Sequence, residues 1–252
     1  MCPSRRTGNS KVTQDRHRDV QSLFDDEQQG RDPGIHALSA RGAVREELGA
    51  MPAIFANGYG PIVRNTPEGR ELALARWGMP KPAYALKEKT HDTGVSNIRD
   101  TDSFHWQQWL DVENRCVVPA TSFSEFGQTP GSKQTVWFAL REDRPLFFFA
   151  GIWVPKWTSV RQVKEGETTN DLYGFLTTDA NEEVGAVHPK AMPVFLRTPA
   201  SVDYWLTASV EDALSLQRPL PNGTLEIVAR GSPEDFPGNT FVPEPPRQGS
   251  LF

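Results

Sequence analysis

A cysteine stands directly behind the first methionine in MCPSRR. Removal of Met1 would give Cys2 a free α-amine close to its thiol, groups that titrate at about 7.7–8.0 and about 8.5 respectively. Such a pair traps aldehydes. The amine condenses to a Schiff base, and the thiolate then closes a five-membered thiazolidine on the same carbon, a product more durable than the imine alone. The ordinary reading of these six residues is an exposed terminal thiol with no role, followed by a Pro3 that slows loss of Met1. Both readings stay open on this stretch alone.

Three further stretches hold side chains suited to chemistry. In VSNIRD, Asn97 and Arg99 are two apart in a segment read as a strand, so both leave the same face. A guanidinium offers a planar fork of donors for phosphate oxygens, and an amide can hold an amine and a carbonyl at once. In TSFSEF, an extended chain puts Thr121, Phe123 and Glu125 on one face. A carboxyl against aromatic surface has its charged form disfavoured and its pKa raised, which suits a general acid near neutral pH; the alternative is a strand-end carboxylate held by an arginine. In GAVHPKAMPVFL, His188 ends a short helical stretch and Lys190 follows within a proline-punctuated turn. A loop histidine there can shuttle protons or hold a developing oxyanion, against the commoner case of a satisfied polar residue. Trp77, in ARWGMPKP, precedes a glycine and a proline-rich loop and could border a cleft where nucleobases stack.

The elements that must position these residues are mainly strands. From Pro61 the chain runs through short apolar stretches between turn signals, PIVRN, ELALARW, VSNIR, NRCVVPA, QTVWFAL, PLFFFAGIWV, DLYGFLTT and LEIVAR. Helical patterns are few and short: FHWQQWL, NEEVGAV, ASVDYWL and VEDALSLQ, with weaker candidates near Asp19–Phe24 and Ala43–Leu48. Trp106 and Trp109 fall on one helix face, and Trp137 and Trp153 in strand-like runs, so these four belong in the core. Without regular βαβ alternation the expected fold is α+β, a single domain with a mostly antiparallel, barrel-like sheet and short peripheral helices. That domain is expected over residues 1–230, with 1–50 its polar, irregular part, and residues 231–252, proline-rich and aperiodic, as a disordered tail.

Composition narrows the function. With 252 residues, 37% hydrophobic and 23% charged, the chain has enough apolar material for a substantial core. No run of about 18 apolar residues occurs and the N-terminus is polar, so neither export nor membrane spanning is expected, and the expected address is cytoplasmic. The two cysteines, Cys2 and Cys116, and five scattered histidines lack metal-ligand spacing, so no metal and no cofactor are expected. A net charge of −5 argues against indiscriminate nucleic-acid binding but leaves room for a local basic cleft. Arg5, Arg6, Lys81, Lys87, Lys89, Arg99, Lys133, Lys156, Arg161, Lys164 and Lys190 could collect on one side, or be solvated loop charges.

Taken together, Cys2, Trp77-Gly78, Asn97-x-Arg99, NRCVVPATSFSEF at 114–126 and VHPKAMPVFL at 187–196 resemble, in order and spacing, the SOS response-associated peptidase (SRAP) family over roughly residues 51–230. The resemblance implies a sensor of abasic sites in single-stranded DNA. There, an N-terminal cysteine freed of Met1 crosslinks to the ring-opened aldehyde as part of the DNA damage and SOS response. It further implies Cys2 as nucleophile, Asn97 positioning its amine, Arg99 as a phosphate ligand, Glu125 as acid/base and His188 as aid to ring opening and Schiff-base chemistry. Trp77 and Lys190 are the other expected DNA contacts. The peptidase in the family name implies self-removal of Met1, with lyase activity at the same site, in a monomer that associates with the nucleoid when bound to DNA. Two other functions fit the same residues: a peptidase acting on protein substrates, and a non-covalent module for damaged DNA. The start Cys2-Pro3-Ser4-Arg5 is the feature that favours the module, because the family's cysteine is usually followed by Gly-Arg or Asn-Leu-Tyr.

Overall fold

The computed structural model describes residues 18–19, 43–44, 51–87, 89–127 and 134–235. Its frame is a ring of five strands. β3 (Tyr59–Thr66) and β4 (Gly69–Trp77) form a tight antiparallel hairpin. β3 also pairs with β6 (Arg115–Ala120), and β6 pairs with β9 (Phe147–Val160), which folds back on β10 (Glu167–Thr178). The ring closes where β10 meets β4 in parallel, Leu172 beside Arg76 and Tyr173 beside Trp77. Closure removes the unpaired sheet edges that an open five-stranded sheet would present.

Smaller pieces extend this barrel. β5 (Asn97–Ile98) continues the β4 edge of β10, also in parallel, with Asn97 opposite Phe175. β11 (Met192–Pro193) and β12 (Phe195–Leu196) add to β10 and β9. β7 (Phe123–Phe126), β8 (Thr135–Ala139) and β13 (Glu226–Arg230) make a separate three-stranded antiparallel sheet. The helices are short: α1 (Phe104–Gln107), α2 (Glu182–Gly185), α3 (Pro199–Thr207) and α4 (Val210–Leu214). The α+β architecture expected from the sequence is the one observed, and the four stronger helical patterns each hold a helix.

The run PLFFFAGIWV is continuously apolar because β9 is buried on both faces. Phe148, Ala150, Ile152 and Val154 pack with Trp106, Trp109 and Trp205, on the side covered by α1 and α3. Phe147, Phe149 and Trp153 point the other way, into an aromatic cluster with Phe123, Phe138, Phe175 and Phe195. The four tryptophans assigned to the core, Trp106, Trp109, Trp137 and Trp153, are all buried.

Two readings need correction. Arg18–Asp19 and Ala43–Val44, at the starts of the two weaker helical candidates, are β1 and β2, paired antiparallel with each other. A six-residue pattern does not separate helix from strand, and here a β partner decides. The remaining residues of both candidates lie outside the described ones. At the other end, residues 231–235 are packed on the domain: Asp235 is buried in a two-pronged pair with Arg144, and Ser232 accepts the Trp137 indole N–H at 2.9 Å through its carbonyl. The packed unit thus runs past residue 230. Residues 236–252 lie outside the described ones.

Candidate active site

Along one edge of β10, β4 ends and β5 begins, and this placement brings Trp77 close to Asn97. Trp77 is the last residue of β4, and its indole lies on Phe175 with ring centroids 5.1 Å apart and on Tyr173 at 6.4 Å. The indole N–H donates to the Ser96 carbonyl at 3.1 Å, so the ring is tied directly to the residue before Asn97. Trp77 is half-buried, a wall of the site with its position set by stacking and one hydrogen bond.

The alternation expected in VSNIRD is present. Ile98 is fully buried, while Asn97 and Arg99 on either side of it are exposed. The Arg99 guanidinium pairs with the Asp179 carboxylate and donates to the Lys190 carbonyl at 3.3 Å. Gln217 holds this segment from behind: its amide donates to the carbonyls of Arg99 at 2.8 Å and Thr177 at 2.9 Å, and accepts from the Thr101 hydroxyl at 2.9 Å. Lys190 itself is exposed, with its backbone, two residues beyond His188, against Arg99.

Glu125 and His188 come from different parts of the chain and meet. Glu125 is on β7, whose Phe123 packs against Phe138, Phe149 and Phe195. Burial pushes the Glu125 carboxyl up from an ordinary 4.5 to about 7. His188 follows α2, a helix capped at its start by Asn181, whose side chain accepts the Val184 N–H. The His188 N–H donates to the Val184 carbonyl at 2.7 Å, which fixes the backbone where the helix ends. His188 Nδ1 then lies 3.7 Å from Glu125 Oε2, close but too long for a hydrogen bond. A carboxyl balanced between its two states near pH 7 and an imidazole beside it can pass protons in either direction.

The structure thus places Glu125 beside His188, the Lys190 backbone against Arg99, and Trp77 against the segment that holds Asn97, with the buried Phe175–Phe149–Phe123 stack running between Trp77 and β7. Cys2 lies outside the described residues. Cys116 is fully buried, and desolvation raises its thiol far above the ordinary value, so it is not available as a thiolate nucleophile. Arg161, one of the cations considered for a basic track, is fully buried against Asp92 and belongs to no surface. The sequence reading missed Asp179 and Gln217, and it considered Arg161 only as a surface cation. Glycines at 78 and 94 are the only local signal that something crowds the backbone near Arg161.

Comparison with known proteins identifies a family and a fold. The family model described as SOS response associated peptidase (SRAP) matches residues 34–229. No curated protein sequence matches the chain. Among solved structures, a protein from Bordetella bronchiseptica is similar with a TM-score of 0.55 at 22% identity, over 76% of this chain and 90% of that one. A protein from Bacteroides thetaiotaomicron is similar with a TM-score of 0.51 at 21% identity, over 69% of this chain and 75% of that one. At such identities the two structures bear on the fold alone.

Proposed function

Because this chain belongs to the SOS response-associated peptidase (SRAP) family, we propose that it recognises abasic sites in single-stranded DNA and joins them covalently through Cys2 after loss of Met1. Family membership carries the coarser statement, a role associated with abasic-site DNA damage. The observation that carries the finer one is the Glu125–His188 pair, a carboxyl raised to about 7 beside an imidazole.

Hydrolysis of the Met1–Cys2 peptide bond, consuming one water, frees the Cys2 amine. An abasic deoxyribose is mostly a closed hemiacetal. Opening it breaks the C1′–O4′ bond: O4′ takes a proton from an acid, the C1′ hydroxyl gives one to a base, and C1′ becomes an aldehyde. Glu125 and His188 supply this proton traffic, and their side-by-side placement supports both directions of transfer. The Cys2 amine adds to C1′ and water leaves, giving a Schiff base. The thiolate then adds to the same carbon and closes the thiazolidine, with a net loss of one water. Asn97 orients the amine, Arg99 and Lys190 hold the backbone phosphates, and Trp77 packs against the nucleotide. Arg99 is half-exposed, so a phosphate can replace Asp179 as its partner. The crosslink shields the aldehyde from strand breakage, and lyase chemistry uses the same Schiff base. The protein does this as a monomer in the cytoplasm, on nucleoid DNA. No helix among the described residues is long and apolar enough to cross a membrane.

The test is intact mass spectrometry of the full chain before and after incubation with a single-stranded oligonucleotide holding one abasic site. The expected protein starts at Cys2 and gains the mass of the oligonucleotide less one water, while Cys2→Ala gains nothing. Retained Met1 with DNA bound and no adduct would replace crosslinking with the non-covalent module. Cleavage of added proteins without any need for DNA would replace it with the general peptidase.

A further inference from the structure

The segment leaving Trp77 and the segment arriving at Asn97 cross behind the site, and one side chain fills the crossing. Arg161 begins the turn that joins β9 to β10 and is only 1% exposed. Its Nη2 donates to the Gly78 carbonyl at 2.6 Å, and its Nη1 faces Asp92 Oδ2 at 3.5 Å. The Asp92 carboxylate in turn accepts the Gly94 N–H at 2.8 Å and the Lys81 N–H at 3.1 Å, while the Asp92 N–H donates to the Val160 carbonyl at 2.8 Å. Met79 and Val95 exchange backbone hydrogen bonds of 2.9 and 2.8 Å across the same crossing.

Both glycines at the crossing are shaped by this arginine. Gly78 and Gly94 have φ of +137° and +77°, and a Cβ on either would fall on the Arg161 guanidinium; on Gly94 it would also lie 2.9 Å from Gly78 Cα. The other end of the turn grips the same strand, because Glu165 holds Arg76, the neighbour of Trp77, at 2.7 Å. Arg161 nevertheless keeps two buried nitrogens, Nε and Nη1, without a hydrogen-bond partner. Stability alone does not account for such a cation, since a buried ion pair replaced whole by apolar residues of similar volume is commonly as stable or more so. Its use lies in geometry, because a planar fork can hold two backbone segments at a fixed separation.

We propose that Arg161 is a positioning residue for this site, setting the separation of the Trp77–Gly78 and Gly94–Asn97 segments so that indole and carboxamide flank one substrate. Its functional consequence rests on the crosslinking reading above; its structural consequence does not.

The test uses the full chain as Arg161→Lys, which keeps a charge beside Asp92 but replaces the planar fork with a single point donor. All tryptophans are labelled with 5-fluorotryptophan, and the Trp77 resonance is assigned by Trp77→Phe. The expected result is a folded protein in which the Trp77 fluorine resonance moves while that of Trp205, in α3, does not. Adduct formation with the abasic oligonucleotide slows by about tenfold to a hundredfold, and affinity for an oligonucleotide with a stable tetrahydrofuran abasic analogue changes by less than about threefold, the loss being one of alignment rather than binding. An unmoved Trp77 resonance with an unchanged adduct rate would overturn the proposal. If Arg161→Lys does not fold, Asp92→Asn replaces it, since it removes the charge and keeps an acceptor for the Gly94 N–H; the same pair of outcomes decides. If the unaltered protein gives no adduct, the crosslinking reading fails alone, and the fluorine shift still decides the role of Arg161.

Discussion

Burial decides the protonation of Glu125. Its carboxyl titrates near 7 rather than 4.5 because burial penalises the anion. The native state then holds a proton that the unfolded chain has lost between about pH 4.5 and 7. Stability from this group is therefore complete below the unfolded value and is lost as pH rises through the folded one. Glu125→Gln, which cannot ionise, is expected to be more stable than the parent by up to about 3 kcal/mol above pH 7. The two proteins should converge below pH 4.5, in urea unfolding at pH 4, 6 and 8.5. The adduct rate of the parent should fall on the alkaline side with a midpoint near 7, and that limb should be missing in Glu125→Gln; a parent profile flat from pH 6 to 8 would remove Glu125 from the acid role. The raised carboxyl was legible in TSFSEF, because strand alternation puts Glu125 on the side of Phe123 and aromatic surface predicts desolvation. Asp179 was not legible. It meets Arg99 only because β5 lies beside β10, and nothing in DLYGFLTTD encodes that pairing.

Strands and a barrel-like sheet were readable, and the parallel contacts that close the barrel were not. Each apolar run from PIVRN to LEIVAR became a strand, but the parallel contacts of β4 and β5 with β10 join residues far apart in sequence with no hairpin turn to announce them. Those two contacts bring Trp77 and Asn97, both named from the sequence, next to each other, so what escaped the sequence reading is the non-local pairing that joins them. Arg115 is a second case. In NRCVVPA it reads as an ordinary strand residue, yet it is 1% exposed and donates to the carbonyls of Leu110 at 2.7 Å, Trp205 at 2.8 Å and Ala208 at 2.9 Å. Trp205 and Ala208 lie at the end of α3, where carbonyls lack partners within the helix. A strand side chain thus caps a helix and fastens it to the barrel, with the Trp205 indole completing the tie by donating to the Cys116 carbonyl at 2.9 Å. Arg115→Met is expected to cost about 2–4 kcal/mol in urea unfolding, three orphaned acceptors less the relief of a desolvated cation. Hydrogen exchange should quicken first at the amides of α3. A loss spread evenly over the barrel would argue against the cap.

At the scale of the molecule, the last described residues close the fold on itself. Arg144 Nε and Nη2 donate to the two Asp235 oxygens at 2.7 and 2.8 Å, the Ser122 hydroxyl donates to Oδ2 at 2.7 Å, and the Asp235 N–H reaches the Pro52 carbonyl at 3.1 Å. Through its carboxylate Asp235 therefore gathers the residue before β7 and the turn after β8, and through its backbone N–H the loop that leads into β3. Composition hid this, since SPEDF is as aperiodic as the proline-rich PGNTFVPEPP stretch that follows it. The pair is deeply buried, with side chains 9% and 2% exposed, so removing one partner strands a charge in a dry place. Asp235→Leu and Arg144→Met should each cost about 3–5 kcal/mol. The double variant should recover most of that loss, because two apolar side chains leave no charge behind. The functional consequence is local to β7. Ser122 is three residues before Glu125, so Asp235→Leu should loosen the strand that keeps the carboxyl dry and lower the pH midpoint of the adduct rate from about 7 toward 4.5. The double variant restores stability without restoring the Ser122 bond. Its midpoint should therefore stay low, and a midpoint that recovers with stability would mean that Asp235 serves the fold and not the site.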